Sequence, residues 1–230
     1  MIKRFFILFL IPGMALAEGW SGEGELGFTT TSGNTDSESL NTKLGVSKSH
    51  GKWAHKASLE ALKASTNNVT SADSMVLREK SQYNFAEKSY GFGKLRYEDD
   101  KFSGFDYQAA LTFGFGSRFI QNDTHVLDMS LGLGYRSSKN TATQETNGEG
   151  VVSADASYEY KISATASFSE AISIEAGDDN THSESETVLK TKINGNLASK
   201  IGYLVKHNSD VPVGVEKTDK ILSVSLVYSF

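Results

Sequence analysis

A histidine and a serine two residues apart on a strand lie on the same face, where one can act as base and the other as nucleophile. His207 and Ser209 have that spacing. Facing lipid, such a pair would suit a phospholipase-like barrel enzyme, although no third group orienting the histidine is legible. A second cluster, Asp178, Asp179, Asn180 and His182, offers oxygen ligands of the kind calcium takes. It lacks the spaced ligands and turn glycine of a dedicated calcium loop, so solvated loop charge is the favoured reading. The other ionisable residues follow a different rule. Glu23, Glu25, Lys43, Arg78, Lys80, Arg96, Arg118, Asp128, Arg136, Asp155, Lys190 and Lys192 fall on the polar faces of alternating segments. A polar face of mixed sign lines either a pore or a salt-bridged filling. Basic residues are in surplus on that face, which favours anions if a pore exists.

The elements that carry these residues are strands. Leu127, Met129, Leu131, Leu133 and Tyr135 share one face, and Asp128, Ser130, Gly132, Gly134 and Arg136 the other. Period two over ten residues predicts long half-buried strands. Twelve such segments are expected: 20–31, 37–48, 53–65, 74–86, 89–99, 107–119, 126–137, 150–161, 163–176, 186–197, 200–208 and 220–230. Short connectors such as "SHGK", "QNDTH" and "LASK" alternate with longer ones such as "SSKNTATQETNGEG", "GDDNTHSESE" and "NSDVPVGVEKTD". The acidic residues of the longer ones, Glu184 and Glu186 included, are expected in external loops. Gly91, Gly114 and Gly132 sit in G-x-G pairs inside strands with no helix following, so they are small lumen or bulge positions rather than phosphate loops.

Residues 1–17 stand apart. Lys3 and Arg4 precede the apolar run 5–12, and Ala15-Leu16-Ala17 has the small-residue pattern of a cleavage site. This is the pattern of a secretory signal peptide, which leaves 18–230 as the mature chain. The absence of cysteine rules out a disulfide framework, and a net charge of −5 argues against a nucleic-acid partner. Mean hydropathy is −0.33, and after residue 17 no apolar run reaches the ~18 residues of a membrane helix.

Strands of ten to thirteen residues exceed the usual ~5–6 of soluble sheets and match a tilted membrane crossing. The expected fold is therefore all-β, a transmembrane antiparallel up-and-down barrel of about 12 strands, apolar outside and polar inside. The final segment supports this. Leu222, Val224, Leu226, Tyr228 and Phe230 alternate to the last residue. Tyr228 and Phe230 are placed at the periplasmic interface, as a C-terminal signal for the barrel-insertion machinery. Glu79 and Glu170 fall on apolar faces, where a β-bulge is expected to restore the alternation.

"SGNTDSES" from Ser32, "YEDDKFSGFDY" from Tyr97, "GLGYR" from Gly132 and "NSDVPVGVEKTD" from Asn208 occur in this order. In this the chain resembles the YdiY-like family, described as salt-induced outer membrane proteins carrying a domain of unknown function. The resemblance implies an outer-membrane barrel and a link to salt, and supplies no catalytic residues. The sequence thus points to a non-enzymatic barrel of a Gram-negative outer membrane, either a small porin-like channel or an envelope-stabilising protein. Its partners would be membrane lipid and lipopolysaccharide, with no cofactor and no metal.

Overall fold

Long alternating strands can satisfy their backbone in lipid only by pairing edge to edge until the sheet closes. The computed structural model, which describes residues 19–31 and 37–230, shows that closure. The strands are β1 (Trp20–Thr31), β2 (Ser37–His50), β3 (Trp53–Thr66), β4 (Val69–Asn84), β5 (Ser89–Asp100) and β6 (Phe105–Gln121). They continue as β7 (His125–Asn140), β8 (Thr146–Lys161), β9 (Ala166–Gly177), β10 (Thr181–Lys192), β11 (Leu197–Asn208) and β12 (Thr218–Ser229). Each pairs antiparallel with its neighbours in sequence, and β12 returns to β1. The seam between them runs from Glu23 opposite Ser229 to Gly27 opposite Ser225, and Gly22 and Phe230 exchange backbone hydrogen bonds of 2.9 Å. The signal-like segment 1–17 and part of "SGNTDSES" lie outside the described residues.

The faces are inverted relative to a soluble barrel. Phe115, Leu133 and Leu222 point outward with 69–72% of their surface exposed, while Arg136 and Glu175 are 1% exposed inside. Outward aromatics cluster near both ends: Trp20, Trp53, Tyr83, Tyr158 and Tyr228 toward the termini, and Tyr97, Tyr107 and Tyr135 toward the other end. These are the two interfacial girdles of a membrane barrel. The end that holds Trp20 and Phe230 is termed the inner end.

Strand boundaries depart from expectation mainly where a long loop was expected. "SSKNTATQETNGEG" is largely strand, with β7 reaching Asn140 and β8 starting at Thr146. "GDDNTHSESE" contributes only 178–180 to a connection, and β10 starts at Thr181 rather than 186. The following turn therefore spans 193–196 instead of falling at "LASK". At the outer end, Asn67 and Asn68 have φ of 51° and 64° and form the two-residue turn between β3 and β4.

No bulge lies at Glu79 or Glu170. The register shifts fall at Ala64/Ser65, Glu98/Asp100, Phe105/Tyr107 and Arg118/Ile120. Both carboxylates belong to the outward face and are held there by hydroxyls. Ser81 donates to Glu79 at 2.5 Å, and Ser185 and Thr187 each donate to Glu170 at 2.6 Å.

Candidate functional site: the barrel lumen

Alternation turns one residue in two of every strand inward, so the lumen inherits the charged face of the sequence. A cavity of about 790 Å³ fills its inner half and reaches the middle. Glu23, Glu25, Lys43, Arg78, Lys80, Arg96, Asp128, Asp155 and Lys190 line it. Arg118 does not line it; it lies 4.0 Å from Asp128 and donates to Asn84 at 3.1 Å. Arg136 is buried beyond the cavity's outer end, and Lys192, the last residue of β10, is exposed at the rim.

One wall is filled rather than open. Gly114, Gly116, Gly132 and Gly134 turn inward on β6 and β7, and the buried rings of Tyr90 and Phe92 lie against this patch. A Cβ on Gly116 would sit 2.3 Å from the Tyr90 ring, so the close approach requires glycine there. Gly91 belongs instead to the outward face, beneath Phe115. The Tyr90 hydroxyl donates to Asp128 at 2.5 Å.

The outer half of the lumen is closed by ion pairs. Arg96 holds Glu175 and Glu98, each at 2.7 Å, and Lys206 reaches the other oxygen of Glu98 at 2.5 Å. Arg78 joins Glu184 at 2.7 Å and Glu60 at 3.0 Å. Arg136 holds Glu149 at 2.5 Å and donates to the carbonyl oxygens of Glu175 and Asn180. Above this layer Asn180 joins two connections. It donates to Asn208 at 2.9 Å, and its oxygen accepts from Ser209 at 3.2 Å and from the Asp210 backbone at 3.1 Å. A separate hollow of about 140 Å³, lined by Phe105, Asn140, Asp179 and Pro212 among others, lies on the far side. At that rim Lys101, in the β5–β6 loop, donates to Asp73 at 2.6 Å, which raises its pKa above the ordinary lysine value.

Several sequence expectations change here. Glu184 and Glu186 are not loop acids; both face the lumen from β10, and Glu186 joins Lys200 at 2.9 Å. With them inside, and Lys192 at the rim, the basic surplus disappears. The cavity is lined by Lys43, Lys56, Arg78, Lys80, Lys94, Arg96, Lys190 and Lys200 against a comparable set of carboxylates. His207 and Ser209 do not meet. The His207 ring bonds Thr218 at 2.8 Å, whereas Ser209 accepts from the Thr181 backbone at 2.8 Å and donates to Asn180. Asp178, Asp179, Asn180 and His182 do not form one ligand set, since the first two are exposed and the last two buried. Among the described residues the group of metal-type ligands that converges is Glu98, His182 and Glu184. Its carboxylates are already held by Arg96, Lys206 and Arg78, which makes it a node of the ion-pair layer.

A closed twelve-stranded barrel with an apolar outer band, two aromatic girdles and a charged lumen defines an outer-membrane-type, porin-like protein. The chain belongs to the family described as "Protein of unknown function, DUF481", whose model matches residues 24–230. It is 30% identical to YdiY of Escherichia coli K12 over 216 residues, covering 90% of this chain and 82% of that protein. Among solved structures it is similar to the COG4313 outer membrane channel from Pseudomonas putida F1 (TM-score 0.55, 10% identity, 92% of this chain and 95% of that one). It is also similar to the NanC porin (TM-score 0.52, 11% identity, 91% and 97%). A third is the translocator domain of the autotransporter NalP from Neisseria meningitidis (TM-score 0.52, 14% identity, 91% and 88%). At these identities the likeness is one of fold.

Proposed function

We propose that this is a non-enzymatic, porin-like protein of the outer membrane, whose conduit opens toward the periplasm and is barred at its outer half by ion pairs. The observation that carries this reading is the cavity itself. It extends from the inner mouth to Arg96, Glu175 and Glu184 and ends at the layer that those residues form. The chain is exported through cleavage after residue 17 and inserted by way of its final strand. Twelve strands lie between the filled barrels of ~8 and the open channels of ~16, so the side chains decide whether solute passes.

Single-channel recording in planar bilayers tests this. The parent protein is expected to conduct weakly or not at all. The joint variant Arg96→Ser/Glu175→Ser is expected to show discrete, larger openings. Removing both partners avoids leaving either one as a lone buried charge. A parent that conducts as an open pore contradicts the closed layer. A folded double variant that never conducts contradicts the conduit.

A further inference from the structure

Three lysines form a row across the inner half of the lumen. Lys56 on β3 stands in register with Lys80 on β4, and Lys80 with Lys94 on β5. Like charges directly opposite on neighbouring strands repel and destabilise a sheet. Two residues along the same strands, Arg78 stands in register with Arg96, but each of these has a carboxylate, Glu184 and Glu175 respectively, at 2.7 Å. Lys43 stands in register with Glu60 and binds it at 2.8 Å. In the row, Lys94 is answered by Asp155 at 2.7 Å from across the lumen. Among the described residues neither Lys56 nor Lys80 has a carboxylate within 4.0 Å, and Lys80 donates only to the Tyr90 hydroxyl, at 3.5 Å.

The nearby carboxylates are already engaged. Asp155 accepts from Lys94 and from Ser173 at 2.7 Å, and Asp128 accepts from Tyr90. The Lys80 ammonium is held rather than neutralised, 4.8 Å from the centre of the Phe92 ring and 5.3 Å from that of Tyr90. Aromatic faces position a cation without cancelling its charge. Both ammonium groups line the 790 Å³ cavity, within reach of solute from the inner mouth. Each offers three donors suited to charge-assisted hydrogen bonds.

We propose that Lys56 and Lys80, backed by Lys94, bind a small oxyanion: the carboxylate or phosphate group of a solute entering the vestibule from the periplasm. The site deepens the porin-like reading, since it rests on a water-filled vestibule open at its inner mouth. Two positive charges kept in register, with no carboxylate in contact among the described residues, are accounted for by a ligand that supplies the missing negative charge.

The test is calorimetric titration of the purified full-length barrel, in detergent at low ionic strength, with citrate and separately with inorganic phosphate. One-to-one binding of either is expected, and which one binds assigns the head group. In Lys56→Gln/Lys80→Gln affinity should fall at least tenfold, while Lys220→Gln, outside the lumen, leaves it unchanged. The thermal midpoint of the double variant should equal or exceed that of the parent, because repulsion is removed. Binding of neither anion, or undiminished binding by the double variant, overturns the site. So does a lowered midpoint, which would make the lysines part of the wall's own stability. Titration reads binding whether or not current flows. Failure of the conductance test therefore removes the channel and leaves the site standing, and failure of titration removes the site alone.

Discussion

In the outer half of the lumen, charged side chains meet one another; in the inner half, many of them meet water. Arg96, Glu98, Glu175 and Lys206 keep at most 8% of their side-chain surface exposed, and each has an opposite charge within 2.7 Å. At the inner mouth, Lys190 and Glu23 are also paired, but with 27% and 52% exposure. The residue types are the same and the solvent differs. Charges withdrawn from water depend on their partners, because separation leaves an uncompensated ion in a poor dielectric. Charges at a wet mouth lose little when a partner leaves, because water replaces it. One half is thereby suited to hold the wall together, and the other is free to meet solute.

Arg96→Ala is the strongest way to break this comparison. It leaves Glu175 facing Lys94 at 4.0 Å and one oxygen of Glu98 without its guanidinium, and the expected loss is about 3–5 kcal/mol. Urea unfolding in lipid vesicles measures it. A loss no larger than that of a mouth variant would show that water reaches the layer and that the outer half is not closed.

Deleting Phe230 probes the inner rim at its seam. The residue supplies one donor and one acceptor to Gly22, and its ring fills the notch that a Cβ on Gly22 would occupy, 2.4 Å from Cζ. Outer-membrane yield, read as the fraction migrating faster without boiling, should drop. Gly22→Val, which expels the ring and keeps the terminus, should lower it less. Unchanged yield in both would make the last strand an ordinary one.

How far the lumen is legible in the sequence depends on what the opposite face looks like. β7 was clear because Leu127 to Tyr135 alternate as large apolar residues, so Asp128 and Arg136 could face only inward. The start of β10 is hidden in the sequence because its outward face is Ser183, Ser185 and Thr187, which pass for loop residues. Glu184 and Glu186 are hidden with it, although Glu184, Glu186, Val188 and Lys190 alternate with those residues. The hydroxyls are explained by Glu170, a non-local partner on β9 that no period can announce. The roles of Lys200, Glu149 and Tyr90 are illegible in the sequence for a related reason. Their roles come from groups across the lumen or on neighbouring strands, and alternation gives a side chain's direction but not what stands opposite.

Glu170 also extends the comparison to the lipid side. A carboxylate there has no water to fall back on, so its hydroxyl donors should matter as partners do in the outer lumen. Ser185→Ala/Thr187→Ala should destabilise by about 1–3 kcal/mol for each donor lost. Glu170→Gln in the same background should recover much of that loss. If the double variant unfolds with the parent, the carboxylate is wet, and that face of β9–β10 is not in contact with lipid.

The smallest effect is expected at the mouth. Lys190 and Glu23 are in contact yet half open to solvent, and such pairs contribute about 0–1 kcal/mol. Lys190→Gln should therefore shift the unfolding midpoint only slightly at low ionic strength. The Debye length falls from ~10 Å at 0.1 M to ~3 Å at 1 M, so the residual difference should fade as salt is raised. The loss caused by Arg96→Ala should persist over the same range, because mobile ions do not enter a closed layer. Measuring both variants along one salt series places the boundary between the two halves. A Lys190→Gln cost that is large and indifferent to salt would move that boundary to the inner rim and leave no open vestibule for solute to enter.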